Sequence, residues 1–247
     1  MRKASIVWDV LKTVYIWVVI GVLTTVISLV IVAGALPLLL IDPRRRISHT
    51  LASLWGRLTF LAVPWWQLTV TGRSHIDPRR PYILVANHQS LLDILVVCTI
   101  RRQFKWVAKD NLFLIPFLGW AMALAGYIRL ARGRHGSIRE TYVQARRWLD
   151  RGMSVCFFPE GTRSRTGELG AFKNGAFKLA LETGLPVVPI AIQGTYDAIQ
   201  RGSWIFHPSS RMRVTVLPPI DPKPYAPDGD TRLRDDVRAA ISRTLQP

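Results

Sequence analysis

Two short polar segments carry the residues best able to do acid–base or anion chemistry. The first, Asn87-His88-Gln89-Ser90-Leu91-Leu92-Asp93, directly follows the apolar run Tyr82–Ala86. A histidine with one free ring nitrogen can take a proton near neutral pH. A carboxylate on its other nitrogen fixes the tautomer and stabilises the imidazolium that forms. On a straight helix, residues five apart lie roughly 140° apart around the axis, so His88 and Asp93 would not share a face. They can meet if His88 sits in a strand-to-helix turn and Asp93 in the first helical turns, where the carboxylate reaches back. With no nucleophile nearby, such a pair suits removal of a proton from a substrate hydroxyl. The bland alternative is a capping Ser90 with an incidental histidine.

The second segment is Phe157-Phe158-Pro159-Glu160-Gly161-Thr162-Arg163, with Arg165, Lys173 and Lys178 beyond it. Pro159, Gly161 and Thr162 end an apolar run abruptly, and Glu160 and Arg163 project from the resulting loop. Backbone amides of a glycine-containing loop together with Arg make an anion site, and Arg suits bidentate phosphate contacts. The alternative is an ordinary polar turn with solvated charges. Other chemistries lack their residues. The two cysteines, Cys98 and Cys156, form no C-x-x-C and lie in apolar runs, which reads as core packing. There is no G-x-S-x-G elbow. The histidines His49, His75, His88, His135 and His207 show no ligand spacing, so no metal and no bound cofactor is expected.

The elements that must position these segments are legible around them. Gln67–Gly72, Pro81–Asn87, Phe104–Lys109, Met153–Pro159, Val187–Ile192 and Arg211–Leu217 read as β-branched, apolar strands. Ser90–Ile100, Ser137–Arg151, Asn174–Thr183 and Thr231–Leu245 read as helices. Ser137 with Glu140 forms a capping-box pattern, and Gly184 is a C-terminal stop. Pro218–Asp230 reads as a loop. This alternation predicts an α/β domain, a mixed sheet flanked by helices, over residues 67–247.

Residues 1–66 differ in texture. Val14–Ile41 is 28 positions without a charge, roughly 42 Å as a helix against a hydrocarbon core of about 30 Å. It can span, tilt or break near Pro37. Leu51–Val70 carries one charge, Arg57, and four aromatics, Trp55, Phe60, Trp65 and Trp66, of which the tryptophans favour the membrane interface. Basic residues flank the first run on both sides: Arg2, Lys3 and Lys12 before, Arg44–Arg46 after. A membrane-embedded helical hairpin or re-entrant pair reconciles these features, with a single span as the alternative. The chain carries 33 Lys and Arg against 16 Asp and Glu, net +17. Zinc-finger spacing and RNA-binding aromatic motifs are absent, which argues against nucleic acid. An anionic leaflet, at about 1 kcal/mol per basic residue, and phosphorylated substrates fit better.

Taken together, these residues resemble the glycerolipid acyltransferase family, and within it the 1-acylglycerol-3-phosphate (lysophosphatidic acid) acyltransferases. The resemblance covers about residues 67–217. It rests on four blocks in order: Asn87–Asp93, Lys109–Arg132, Phe158–Ser164 and Leu185–Ile190. It implies His88 as general base and Asp93 as its orienting partner. It also implies that Glu160, Gly161, Thr162 and Arg163 bind the acceptor, with Arg163 on its phosphate and Arg132 and Lys109 adding positive charge. Pro186 and Pro189 would shape a strand near the acyl site. The implied donor is acyl-CoA or acyl-acyl carrier protein, and the implied acceptor is lysophosphatidic acid. The implied location is a bacterial cytoplasmic membrane, with the site facing the cytoplasm. The chain departs from the pattern at Arg129, where the family usually carries an apolar residue. That charge would serve a larger anionic acceptor or simply face solvent. Glycerol-3-phosphate, a lyso-ornithine lipid or another lysophospholipid are the rival acceptors, and a non-catalytic lipid-binding protein is the rival from another class.

Overall fold

The computed structural model describes residues 2–131, 136–207 and 210–246. Helix α1 (Arg2–Ala33) and the short α2 (Ala35–Ile41) are separated at Gly34, and α3 (Arg46–Ala62) leads to strand β1 (Trp66–Thr71). The break falls at Gly34 rather than near Pro37. Pro37 is the third residue of α2, within a first turn whose N–H groups have no intrahelical acceptor, so a missing donor costs nothing there. The remaining elements are β2 (Ile83–Ala86), α4 (Leu92–Cys98), β3 (Phe104–Lys109), α5 (Leu118–Leu124), β4 (Ile128–Leu130), α6 (Ser137–Asp150) and β5 (Ser154–Phe157). They continue with α7 (Gly175–Thr183), β6 (Val187–Gln193), α8 (Thr195–Ala198), β7 (Ser210–Val216) and α9 (Asp230–Leu245).

The strands form one mixed sheet in the order β1-β7-β6-β2-β5-β3-β4. Strands β6, β2, β5, β3 and β4 run parallel, whereas β7 is antiparallel to β6 and carries β1 parallel to itself. The central strands are buried on both faces, and alternate residues separate into two cores. Leu84 and Ala86 pack with Val188, Ile190 and Phe104 beneath α4. Ile83 and Val85 pack with Val155, Val187 and Ala191 beneath α6, α7 and α9. Pro189 is tolerated in a central strand because the β6–β7 ladder begins only at Ile190 opposite Val216. All six strands read from the sequence are present. The seventh, β4, is a three-residue strand that exists by pairing with β3. Gly184 ends α7 at φ 65 as a left-handed cap, while α6 begins at Ser137 with Gly136 as its cap residue and no side-chain cap bond.

Helices α1 and α3 form an antiparallel hairpin. The Tyr15 hydroxyl donates to the Ala62 carbonyl at 2.8 Å near one end. Ile27 and Ile31 pack with Leu51 and Leu58 towards the other. One edge of α1 is seated on the sheet domain, with Ile16 fully buried and the Trp17 indole N–H donating to the Trp204 carbonyl. On its other side Val7, Leu11, Val18, Val22, Val26 and Val30 are exposed and face outward. The segment Val7–Ala33 is long and apolar enough to cross a membrane. Helix α3 meets α4 at Gly56, where a Cβ would sit 2.7 Å from the Leu95 carbonyl oxygen.

The elbow before α3 is tied to the sheet by an unusual buried cation. Lys105 on β3 is fully buried, donates to the Arg45 and Ala125 carbonyls, and lies over the Trp148 ring at 4.7 Å. Burial, and then the neighbouring Arg45 charge, pull its pKa down from 10.5 to about 7. The unfolded chain therefore binds more protons between these values, so this group adds stability as pH rises from about 7 towards 10.5 and loses it as pH falls through about 7. The thermal midpoint of the wild type is expected to rise between pH 7 and pH 9, and Lys105→Met should flatten that rise.

Candidate active site

Every functional segment lies beyond the carboxyl end of a parallel strand, the edge at which open α/β sheets build their sites. His88 follows β2, and Asp93 lies in the first turn of α4. The His88 Nδ1–H donates to Asp93 Oδ2 at 2.7 Å. The turn predicted from the spacing is therefore the one that forms. Asp93 is fully buried and saturated. Its Oδ2 also accepts from the Gln89 and Ser90 amides at 2.6 and 2.8 Å, and its Oδ1 accepts from the Thr195 hydroxyl at 2.6 Å. Four donors on a fully buried carboxylate hold it in a single position. The imidazole stacks on Phe158 at 4.1 Å, and Phe158 stacks on Trp106 at 5.4 Å, so the ring plane is clamped as well. With Nδ1 committed, His88 Nε2 has no hydrogen-bond partner among the described residues, and 15% of the side chain remains exposed.

Three neighbouring segments hold this turn in place. Asn87 bridges to β6, donating to the Ile192 carbonyl and accepting from the Ile192 amide. The Ser90 hydroxyl donates to the Ile199 carbonyl beyond α8. Glu160, in the loop after β5, accepts from the His88 amide through Oε1 at 2.7 Å and from the Gly170 amide through Oε2 at 3.0 Å. Desolvation raises its pKa, and the two amide bonds oppose that rise. Glu160 thus latches the loop onto the histidine turn. Gly161 turns the chain at φ 70, where a Cβ would also crowd the Lys173 side chain at 3.1 Å. The Ser164 amide completes the latch by donating to the His88 carbonyl at 2.8 Å.

Beside the latch lies a cavity of about 580 Å³ lined by Glu160, Thr162, Arg163, Arg165, Glu168 and Arg201, among others. Three guanidiniums against two carboxylates give it positive character, suited to an anion. Arg201 is a residue the sequence reading missed. It follows α8 and donates to the Arg163 carbonyl at 3.0 Å. Thr195 was missed too. Neither lies in a recognisable motif, and only the sheet order brings them here. Lys109 is exposed at the end of β3 and is not among the cavity-lining residues. Arg129 is exposed with its guanidinium 4.6 Å over the Phe113 ring, also outside the cavity lining. Arg132 and His135 lie outside the described residues. Cys98 and Cys156 are buried, and burial pushes the Cys98 thiol up to about 12, which suits packing rather than nucleophilic attack. Among the described residues no cluster could hold a metal ion.

The arrangement agrees with comparisons to known proteins. A family model described as Acyltransferase matches residues 67–193. The chloroplastic 1-acyl-sn-glycerol-3-phosphate acyltransferase of Arabidopsis thaliana is 36% identical over 212 residues, covering 85% of this chain and 59% of that protein. The mouse 1-acyl-sn-glycerol-3-phosphate acyltransferase alpha is 34% identical over 177 residues, covering 71% of this chain and 62% of that protein. The chain thus spans about three fifths of the length of these relatives. Among solved structures, the 1-acyl-sn-glycerophosphate (LPA) acyltransferase PlsC from Thermotoga maritima superposes with a TM-score of 0.82 at 29% identity, covering 99% of this chain and 96% of that one. The matched family segment runs from β1 to the end of β6 and so contains both the His88–Asp93 turn and the Glu160–Arg163 loop, and the chain belongs to the acyltransferase family.

Proposed function

We propose that this chain transfers a fatty acyl group from an acyl thioester, acyl-CoA or acyl-acyl carrier protein, to the sn-2 hydroxyl of lysophosphatidic acid, giving phosphatidic acid. The observation that carries the reading is the open Nε2 of His88, set by the 2.7 Å bond from Nδ1 to a buried carboxylate, beside an Arg-lined cavity. Relatives and solved neighbour alike carry names of enzymes acting on this acceptor.

The step runs without an acyl-enzyme. The acceptor hydroxyl gives its proton to His88 Nε2 as its oxygen attacks the thioester carbonyl. The tetrahedral intermediate then collapses, the C–S bond breaks, and the leaving sulfur recovers the proton from the imidazolium. Asp93 stays a carboxylate and stabilises that imidazolium. The Arg163, Arg165 and Arg201 side chains hold the acceptor phosphate, and holding both substrates together contributes at least as much as the proton transfer. Both acceptor and product are lipids, so the site works at a membrane surface, on the cytoplasmic face where the thioester donor is made.

The test is direct. Purified protein in detergent, given a labelled acyl thioester and lysophosphatidic acid, should yield labelled phosphatidic acid. Conversion of lyso-ornithine lipid or glycerol-3-phosphate in its place would reassign the acceptor. Arg201→Gln should raise KM for lysophosphatidic acid by roughly ten- to a hundredfold, as expected for one lost charge-assisted hydrogen bond, with kcat and the donor KM unchanged. An unchanged acceptor KM would remove Arg201 from the phosphate site.

A further inference from the structure

The stretch from the end of β3 into the first turn of α5 turns its large apolar side chains outward. Leu114 is 80% exposed, Trp120 53%, Ile115 44% and Phe117 40%. Surface hydrophobes normally occur singly, and a cluster of this kind marks an interaction surface. The backbone holds them there. Phe117 adopts φ 61, a left-handed conformation that is unusual for a bulky residue. Gly119 packs so tightly on Phe113 that a Cβ would lie 2.2 Å from its carbonyl oxygen. Phe113 itself is buried and covered by the Arg129 guanidinium, so the segment has a fixed foot and an apolar tip.

Its position is set by two neighbours. Strands β2, β5 and β3 are parallel, so the chain leaves β3 at Lys109 on the edge where His88 and Glu160 lie. Helix α5 packs along the later half of α1, with Ala121 buried against Ile27 and Ile31. The tip therefore adjoins the outward apolar face of the helix that is long enough to cross a membrane. We infer that Leu114–Trp120 is a second membrane-inserting element, which enters one leaflet beside α1 and holds the mouth of the site on the lipid surface. The partner is the bilayer itself. Aromatic and aliphatic side chains on a short tip are the chemistry that enters the headgroup–acyl boundary, and the net charge of +17 favours an anionic leaflet. The inference rests on the reading of the acceptor as a membrane lipid.

Cys98 and Cys156 are buried, so a cysteine introduced at the tip can be labelled selectively. Full-length Leu114→Cys carrying an environment-sensitive fluorophore would be reconstituted in phosphatidylglycerol–phosphatidylethanolamine vesicles, with and without acyl-chain spin-labelled lipid. The expected result is a blue-shifted emission quenched by the spin label. Arg80→Cys, in the exposed loop entering β2 at the opposite edge, should stay unquenched. Equal quenching at both positions, or a Leu114 emission that follows protein concentration rather than lipid, overturns the inference. The double variant Leu114→Asp, Trp120→Asp should lose about tenfold activity on bilayer-embedded lysophosphatidic acid. It should keep wild-type turnover of a short-chain, water-soluble lysophosphatidic acid. Equal loss on both acceptors, or loss on neither, also overturns it. If the wild type acylated neither acceptor, the functional reading would fail, while the quenching experiment would still decide the membrane contact.

Discussion

His88→Ala should lower kcat for acyl transfer by roughly 10²- to 10⁴-fold, the usual contribution of a positioned general base, with KM for lysophosphatidic acid close to wild type. The reason is the division of labour in the site. His88 Nδ1 is committed to Asp93, and only Nε2 is open to a substrate proton. The Arg163, Arg165 and Arg201 side chains, proposed to hold the phosphate, line a separate cavity. The backbone of residue 88 is held by the Glu160 carboxylate and the Ser164 amide, neither of which needs the imidazole. Alanine therefore removes the proposed base and leaves the loop latch standing. Steady-state kinetics on the purified variant checks this, with circular dichroism to show the fold intact. Retention of most of the turnover would show that another group, or water, takes the proton.

Asp93→Asn is the second large effect, and its value is that the geometry can survive. The asparagine oxygen can take the place of Oδ2, accepting from His88 Nδ1–H and the Gln89 and Ser90 amides. The amide nitrogen then faces the Thr195 hydroxyl, which can accept instead of donate. Tautomer and ring position persist, but the charge that stabilises the imidazolium is gone. The expected outcome is a fall in kcat of about 10²–10⁴-fold with the thermal midpoint little changed. Asp93→Ala should behave differently. It strands four donors in a fully buried place and should destabilise the protein, at roughly 1–3 kcal/mol for each donor left unpaired. A variant Asp93→Asn that kept wild-type kcat would show that orientation alone, without charge, is what His88 needs.

The sequence alone determined the kinds and places of the elements. The β-branched runs around residues 67–71, 83–86, 104–109, 154–157, 187–193 and 210–216 are strands, and the amphipathic runs between and after them are helices. Periodicity and turn residues act over a few positions, so they can be read locally. The spacing of His88 and Asp93 also named the kind of turn in which they could meet, and the structure forms that turn. Strand β4 stayed hidden because three residues carry no period, and pairing with β3 alone makes it a strand. The sheet order was not legible either, and it decided the rest. Because β6 and β5 flank β2, Thr195 reaches Asp93 from 102 positions away and Glu160 reaches the His88 amide from 72. Glu160 consequently holds the catalytic loops through both oxygens, a role its place in a motif did not reveal. The docking of α1 and α5, which aims Leu114–Trp120 outward at the same edge, is likewise a product of packing. Local chemistry sets what each segment can be, whereas burial of both sheet faces sets which segments meet, and that choice belongs to the whole chain.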